Sequence, residues 1–206
     1  MTMFYPTDEN RHDLAHDPFK AIVSPRPIGW IGTKGRDGSF NLSPYSFFNA
    51  ICDNPKLVMF ASSGEKDSLR NARETGVFTA SLASRNLAEQ MNVSSISVEY
   101  GVDEFAIAGL TARPGTLVDA PFVAEAYAAL ECRVTEIHEP KTIAGGKAEA
   151  IIVFGQVIGL HISEEVVREG RVDMGIARPL GRMGYRDFTD GGADVFEMTR
   201  PSTPKG

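Results

Sequence analysis

Two stretches in the C-terminal half restrict the fold of this chain more than any other feature. Over Leu130 to Ile137 apolar and polar residues alternate, with one step out of phase at Thr135-Glu136, the period of a strand with one buried face. From Glu149 to His161 runs a longer apolar segment, Ile151-Ile152-Val153-Phe154 and then Val157, Ile158 and Leu160, broken by Gly155 and Gly159. A long strand carrying glycines suits the bends of a small closed barrel. Gly145-Gly146 marks the turn between the two. Shorter β-biased runs occur at 21–24, 28–33 and 77–83, and Leu57-Val58-Met59-Phe60-Ala61 reads as a fully buried strand.

Helix signals are few and short. Asp67 can cap a helix that ends at Gly76, and Ser84 one from Arg85 to about Met91. Ala120-Pro121-Phe122 opens another, and Ser163 starts one that Gly170 ends. The expected fold is therefore mainly β with a few peripheral helices. Residues 1–18 form a polar arm, 19–190 one domain and 191–206 a tail, disordered from Pro201. No repeat or linker divides the chain.

The run from Ser24 to Phe60 carries the chemistry. Ile28 to Thr33 is a short strand in which Gly29 and Gly32 leave backbone uncovered for a ligand or another chain. Gly35-Arg36-Asp37-Gly38 is a hairpin turn. Asn41-Leu42-Ser43-Pro44-Tyr45-Ser46-Phe47-Phe48-Asn49 then offers hydroxyls and amides along one edge. It reads either as a decorated hairpin exit or as a wall for a flat heteroaromatic ring. Ser62-Ser63-Gly64-Glu65-Lys66-Asp67-Ser68 places two serines, a glycine and a lysine at a helix start. Such a start favours anions through its free N–H groups, although the helix field contributes only about 0.3–1 kcal/mol at exposed sites. A plain capped helix explains the same residues.

A net charge of -6 and a pI near 5.3 disfavour a nucleic-acid backbone or a membrane surface as partner. No apolar run reaches membrane-span length, and Met1 to Asn10 lacks a signal-peptide pattern, which makes the cytoplasm the default address. Cys132 falls on the apolar face of its strand and reads as an inert buried thiol; packing is also favoured for Cys52. His12 and His16, four apart, have no third ligand and read as an exposed pair, and no metal is expected. Rossmann, phosphate-loop, GxSxG, HExxH and paired CxxC patterns are lacking. Any redox step would have to be carried by a bound cofactor.

Arg26-Pro27-Ile28-Gly29-Trp30-Ile31, Asn41 to Phe48, and Lys66-Asp67-Ser68 with Asn71 resemble the flavin-reductase-like, flavoredoxin-like family of FMN-binding split barrels. The resemblance runs from about Phe19 to Tyr185 and includes Asp103-Glu104-Phe105 and Arg178 to Tyr185. It implies a Greek-key split β-barrel and a homodimer with one FMN per subunit at the interface. Trp30, Ile31 and Thr33 would lie along the flavin ring, and Asn41, Ser43, Tyr45, Ser46 and Asn49 would bond its edge or ribityl chain. Ser62, Ser63, Lys66 and Ser68 would hold the phosphate; Arg182, Tyr185 and His161 are candidates for the substrate rim. Residues 92–111 are expected to form a mobile excursion over the site. The implied activity is NAD(P)H:flavin oxidoreduction, with NADH or NADPH as reductant and a flavin-dependent monooxygenase as possible partner. Short flavin reductases carry Gly-Asp-His where this chain reads Ala148-Glu149-Ala150, which brings a flavoredoxin-like electron carrier into play. A non-redox ligand-binding barrel is the third alternative.

Overall fold

The computed structural model describes residues 2–7, 9 and 12–201. Helix α1 (Phe19–Ile22) leads into strands β1 (Arg26–Pro27), β2 (Gly29–Lys34), β3 (Phe40–Tyr45), β4 (Phe48–Asp53) and β5 (Lys56–Ser63). Helix α2 (Asp67–Thr75), β6 (Val77–Leu82), α3 (Ala88–Val93) and α4 (Glu104–Ile107) follow. The chain continues through β7 (Ala112–Pro114), β8 (Pro121–Val123) and the long β9 (Ala128–His138) and β10 (Ala150–Ile162). It closes with β11 (Val167–Arg168), β12 (Arg171–Val172), α5 (Met174–Ala177), β13 (Leu180–Arg182) and β14 (Phe188–Asp190). No helix among the described residues is long and apolar enough to cross a membrane.

Seven strands make one antiparallel sheet in the order β3-β2-β6-β9-β10-β5-β4. Its two edge strands are consecutive in sequence, so Ser46-Phe47 has to bridge the edges and the sheet must curl. Phe47 still belongs to the β4–β5 ladder, its carbonyl accepting from Ala61 N–H at 2.8 Å. This is a split barrel. The bends fall where the sequence puts glycine: the β9–β10 register slips at Phe154/Gly155 and at Val157/Gly159. A Cβ on Gly155 would stand 2.5 Å from the Phe78 ring.

Two cores line the curled sheet. Inside, Ile31, Val58, Leu69 and Val153 surround the rings of Tyr45, Phe60 and Phe78. Those rings lie 4.9 and 5.2 Å apart in tilted and edge geometry, each pair contributing about 0.5–1.5 kcal/mol beyond area burial. Helix α2 plugs the barrel with Leu69 and Ala72 and ends on Gly76 at φ 73°, as its sequence predicts. Outside, Trp30, Leu42, Leu87, Met91 and Phe105 form the second core. A third layer, the small sheet β1-β13-β14, lies beside it.

Several expectations are corrected. Residues 21–24 are not a strand: Asp17 accepts from Phe19 N–H, and Ala21 and Ile22 bond back to Pro18 O, winding α1. Residues 57–61 lie in β5, which alternates rather than being buried throughout. Pro121 and Phe122 pair with β7 as a strand. After a single 3-10 turn at Glu164–Val166, Glu169 and Gly170 (φ 51° and 75°) turn a hairpin instead of ending a helix. Lys66, not Asp67, occupies the N-cap of α2. Cys52 is exposed, whereas Cys132 is buried with its thiol pushed by burial to about 12. Of the expected tail, residues 202–206 lie outside the described residues.

Candidate functional site

Strand β3 is one open edge of the sheet. Leu42 N–H donates outward to Glu104 Oε2 at 3.0 Å rather than to β2. Antiparallel alternation then turns the backbone of Pro44 to the same open side. Proline has no N–H to lose there, the usual reason it is tolerated on an edge. Beyond Pro44 the edge runs into a cavity of about 300 Å³. Ile28, Pro44 and Ser46 form one wall, Met91, Asn92 and Ser95 the second, and Arg182 with Phe188 the third.

The other end of the edge meets the start of α2. Ser62 and Ser68 are buried there, while Ser63 and Lys66 are exposed. Thr33, Asn41, Ser68 and Asn71 bond to one another beneath the helix: Asn41 Nδ2 reaches Ser68 Oγ at 2.8 Å and Thr33 Oγ1 at 3.2 Å, and Asn71 Nδ2 reaches Thr33 Oγ1 at 3.1 Å. Tyr45 Oη is different. It is buried and has no hydrogen-bond partner among the described residues, which is costly for a hydroxyl. Burial pushes this phenol up; the nearby Ser68, Ser62 and Ser43 hydroxyls oppose that and the Asp67 carboxylate adds to it.

The excursion over the site is anchored rather than loose. Trp30 Nε1 donates to the buried Ser94 Oγ at 2.8 Å. Tyr100 bonds Asn71 Oδ1 at 3.2 Å beneath the Arg70 guanidinium, and Glu104 holds the β3 edge. Burial, with the Asp67 and Asp103 charges adding to it, keeps Glu104 above the usual carboxylate range despite the Leu42 N–H. The two glycines of β2 serve internal packing, not a visitor. A Cβ on Gly29 would collide with the Phe48 ring, and one on Gly32 with the Pro121 carbonyl.

A model of the flavin reductase like domain matches residues 23–181. The chain belongs to this family. It is 39% identical over 192 residues to a protein of Deinococcus radiodurans, covering 87% of this chain and 82% of that one. Among solved structures it resembles nitrilotriacetate monooxygenase component B from Bacillus cereus, at TM-score 0.85 and 23% identity over 96% of this chain and 98% of that one. It also resembles the 2-nitrobenzoate 2-nitroreductase of Pseudomonas fluorescens, at TM-score 0.79 and 27% identity over 89% of each chain.

Within this flavin reductase-like domain the expected site residues separate into groups. Ser43, Tyr45, Ser62, Ser63, Lys66 and Ser68 gather around the α2 start, with Thr33 and Asn41 in the network beneath. Ser46 and Arg182 share the cavity. The Trp30 and Ile31 side chains are fully buried in the two cores, and Asn49 is exposed on β4 opposite Met59. Tyr185 stands beside the N-terminal segment, 5.5 Å from the His16 ring. His161 lies elsewhere: it stacks on Phe122 at 4.3 Å and meets Glu131 Oε1 at 2.5 Å. The cavity residues Met91 and Phe188 carried no sequence signal, whereas Asn92, Ser95 and the edge ligand Glu104 fall in the excursion expected over the site at 92–111.

Proposed function

We propose that this flavin reductase-like protein binds FMN along the β3 edge and works as an NAD(P)H:flavin oxidoreductase. The observation that carries the reading is the orphaned Tyr45 hydroxyl. It sits among serines at a helix start, and an open strand edge joins it to a cavity at Ser46. Ser43 and Ser46 are three residues apart, about 10 Å of strand. The donor set fits a phosphate monoester: among the described residues Tyr45 Oη has no partner, Ser68 lies beside it, and the exposed Ser63 and Lys66 can close over an anion, whereas Ser62 Oγ already donates to Gly64 O at 2.9 Å. Asp67 opposes it and limits the affinity.

When bound, FMN supplies the hydride-accepting chemistry. The residues around it bind and shield. Lys66 and the hydroxyls hold the phosphate, Pro44 O and Ser46 meet the ring edge, and Met91 to Ser95 keep water from one side of the cavity. The outward row Leu57, Met59, Ala61, Ile152 and Phe154 is apolar and only half-buried. A sheet face of that kind supports a second copy of the chain as its cover, the homodimer of the family resemblance.

Titrating FMN against the purified protein by flavin-fluorescence quenching tests the reading. Lys66→Ala should weaken FMN about tenfold, the loss of one charge-assisted contact of roughly 1.5 kcal/mol, and leave riboflavin unaffected. Tyr45→Phe should weaken FMN while leaving the fold intact. Equal FMN affinity in wild type and both variants would sink the proposal. Anaerobic mixing with NADH and NADPH then tests the reductant by bleaching of the flavin band. A second reading, an FMN electron carrier without its own nicotinamide site, is favoured by Ala148-Glu149-Ala150 in place of Gly-Asp-His. This segment borders the anion cradle, since Ala150 pairs with Ser63 and Gly64 N–H bonds Glu149 O at 3.1 Å. Bleaching only by a reduced partner protein selects the carrier.

A further inference from the structure

Across the small sheet, Arg26 of β1 stands opposite Arg182 of β13, and Arg182 stands opposite Phe188 of β14. Directly opposed residues share a sheet face, so two guanidiniums and one ring form a row. The Arg182 guanidinium lies 4.3 Å from the centre of the Phe188 ring, and both residues wall the cavity at Ser46. Like charges opposed across two strands repel, and no ion pair among the described residues involves either arginine. The nearby Asp190 is held by Arg178.

Arg26 is only 7% exposed, and its fork is spent on the carbonyls of Lys20, Val23 and Met183. Its Nε has no partner among the described residues. Burial first, and then the Arg182 charge, holds this guanidinium below its usual value. Arg182 bonds the Tyr185 carbonyl. In a chain of net charge -6, a cation at the cavity wall with no carboxylate partner and a second buried behind it requires a reason. The cavity, about 300 Å³, is at the small end of ligand sites, the scale of a small substituted ring. A planar guanidinium fork matches a carboxylate, and an aromatic face matches a ring.

We propose that Arg182 and Phe188, with the buried Arg26 charge behind them, form an anion subsite that takes the carboxylate of a small aromatic acid, the second substrate of the cavity. That it is a substrate rests on the flavin reading; that it is a carboxylate does not. Calorimetric titration of the full-length protein, with and without added FMN, compares benzoate with its neutral isostere benzamide. Benzoate should bind about tenfold or more tightly than benzamide, the ratio expected of a charge-assisted contact, and the difference should shrink in high salt. Arg182→Gln should abolish the preference, and Phe188→Leu should weaken both probes alike; thermal melts confirm that each variant is folded.

Equal binding of the two probes, no binding of either at millimolar concentration, or an unchanged preference in Arg182→Gln overturns the subsite. An Arg182-dependent preference for benzoate in a protein that takes up no FMN keeps the subsite and removes the flavin reading. FMN uptake without a benzoate preference does the reverse.

Discussion

Glu131 gives the sharpest test of how this fold is held. Its carboxylate is 1% exposed and accepts the N–H groups of Thr116 at 2.8 Å, Leu117 at 2.6 Å and Val118 at 2.9 Å, and it meets His161 Nε2 at 2.5 Å. Gly115 is required at the entry of this wrap, since a Cβ there would lie 2.6 Å from Val118 O and 3.1 Å from Glu131 Oε2. Removing one partner of a buried charged cluster costs about 3–5 kcal/mol. For a chain of this size that is a fall of roughly 6–20 °C in Tm for Glu131→Ala. Glu131→Gln keeps the volume and isolates the charge. Burial pushes the Glu131 carboxyl up, but the Thr116 N–H, His161 and the Leu117 and Val118 N–H groups outweigh it and hold it below the usual range. A carboxylate depressed by folding stabilises above its unfolded pKa of about 4.3 and loses that stability as pH falls through the folded value. Melting wild type and Glu131→Gln by circular dichroism from pH 7 to pH 3 should therefore give a gap that is full near neutrality and closes in acid. A gap below about 0.5 kcal/mol at pH 7, the size of an ordinary surface substitution, or one that ignores pH, refutes the reasoning.

Other outcomes follow from the same structure. Glu104 has the opposite sign: burial raises its carboxyl, so its contribution is present at low pH and lost as pH rises through the folded value. Glu104→Gln should match wild type in acid and exceed it in stability at pH 8, by urea denaturation. Gly32→Ala forces a methyl into the Pro121 carbonyl and should destabilise by about 1–3 kcal/mol or more in the same assay. Ser94→Ala orphans the Trp30 indole N–H and should cost about 1–3 kcal/mol. Cys132, with its thiol at about 12, should resist Ellman's reagent at pH 8 until the protein is unfolded; fast labelling of Cys132 in the native state contradicts its burial.

Much of the barrel was legible because periodicity and glycine placement are local. Gly155 and Gly159 coincide with the two slips of β10, and Gly76 stops α2. What was not legible depends on partners distant in the chain. Alternation puts Glu131 on the outer face of β9, yet residues 115–118 fold over it and bury it. The space above Gly29 and Gly32 is filled by Phe48 and Pro121, so the same residues that suggested ligand approach report internal packing. Pro121 and Phe122 form a strand only because β7 is there to pair with. The proposed phosphate cradle could be read from seven consecutive residues; its Tyr45 member and the Arg182–Phe188 wall come from elsewhere.

The chain has a single tryptophan, Trp30, fully buried and bonded to Ser94 on the excursion. Nature has thereby built one intrinsic chromophore into the joint between barrel and cover. Its emission colour reports whether Met91 to Ser95 is seated, without any label, and any undocking that lets solvent reach the indole must redden it before the barrel itself melts.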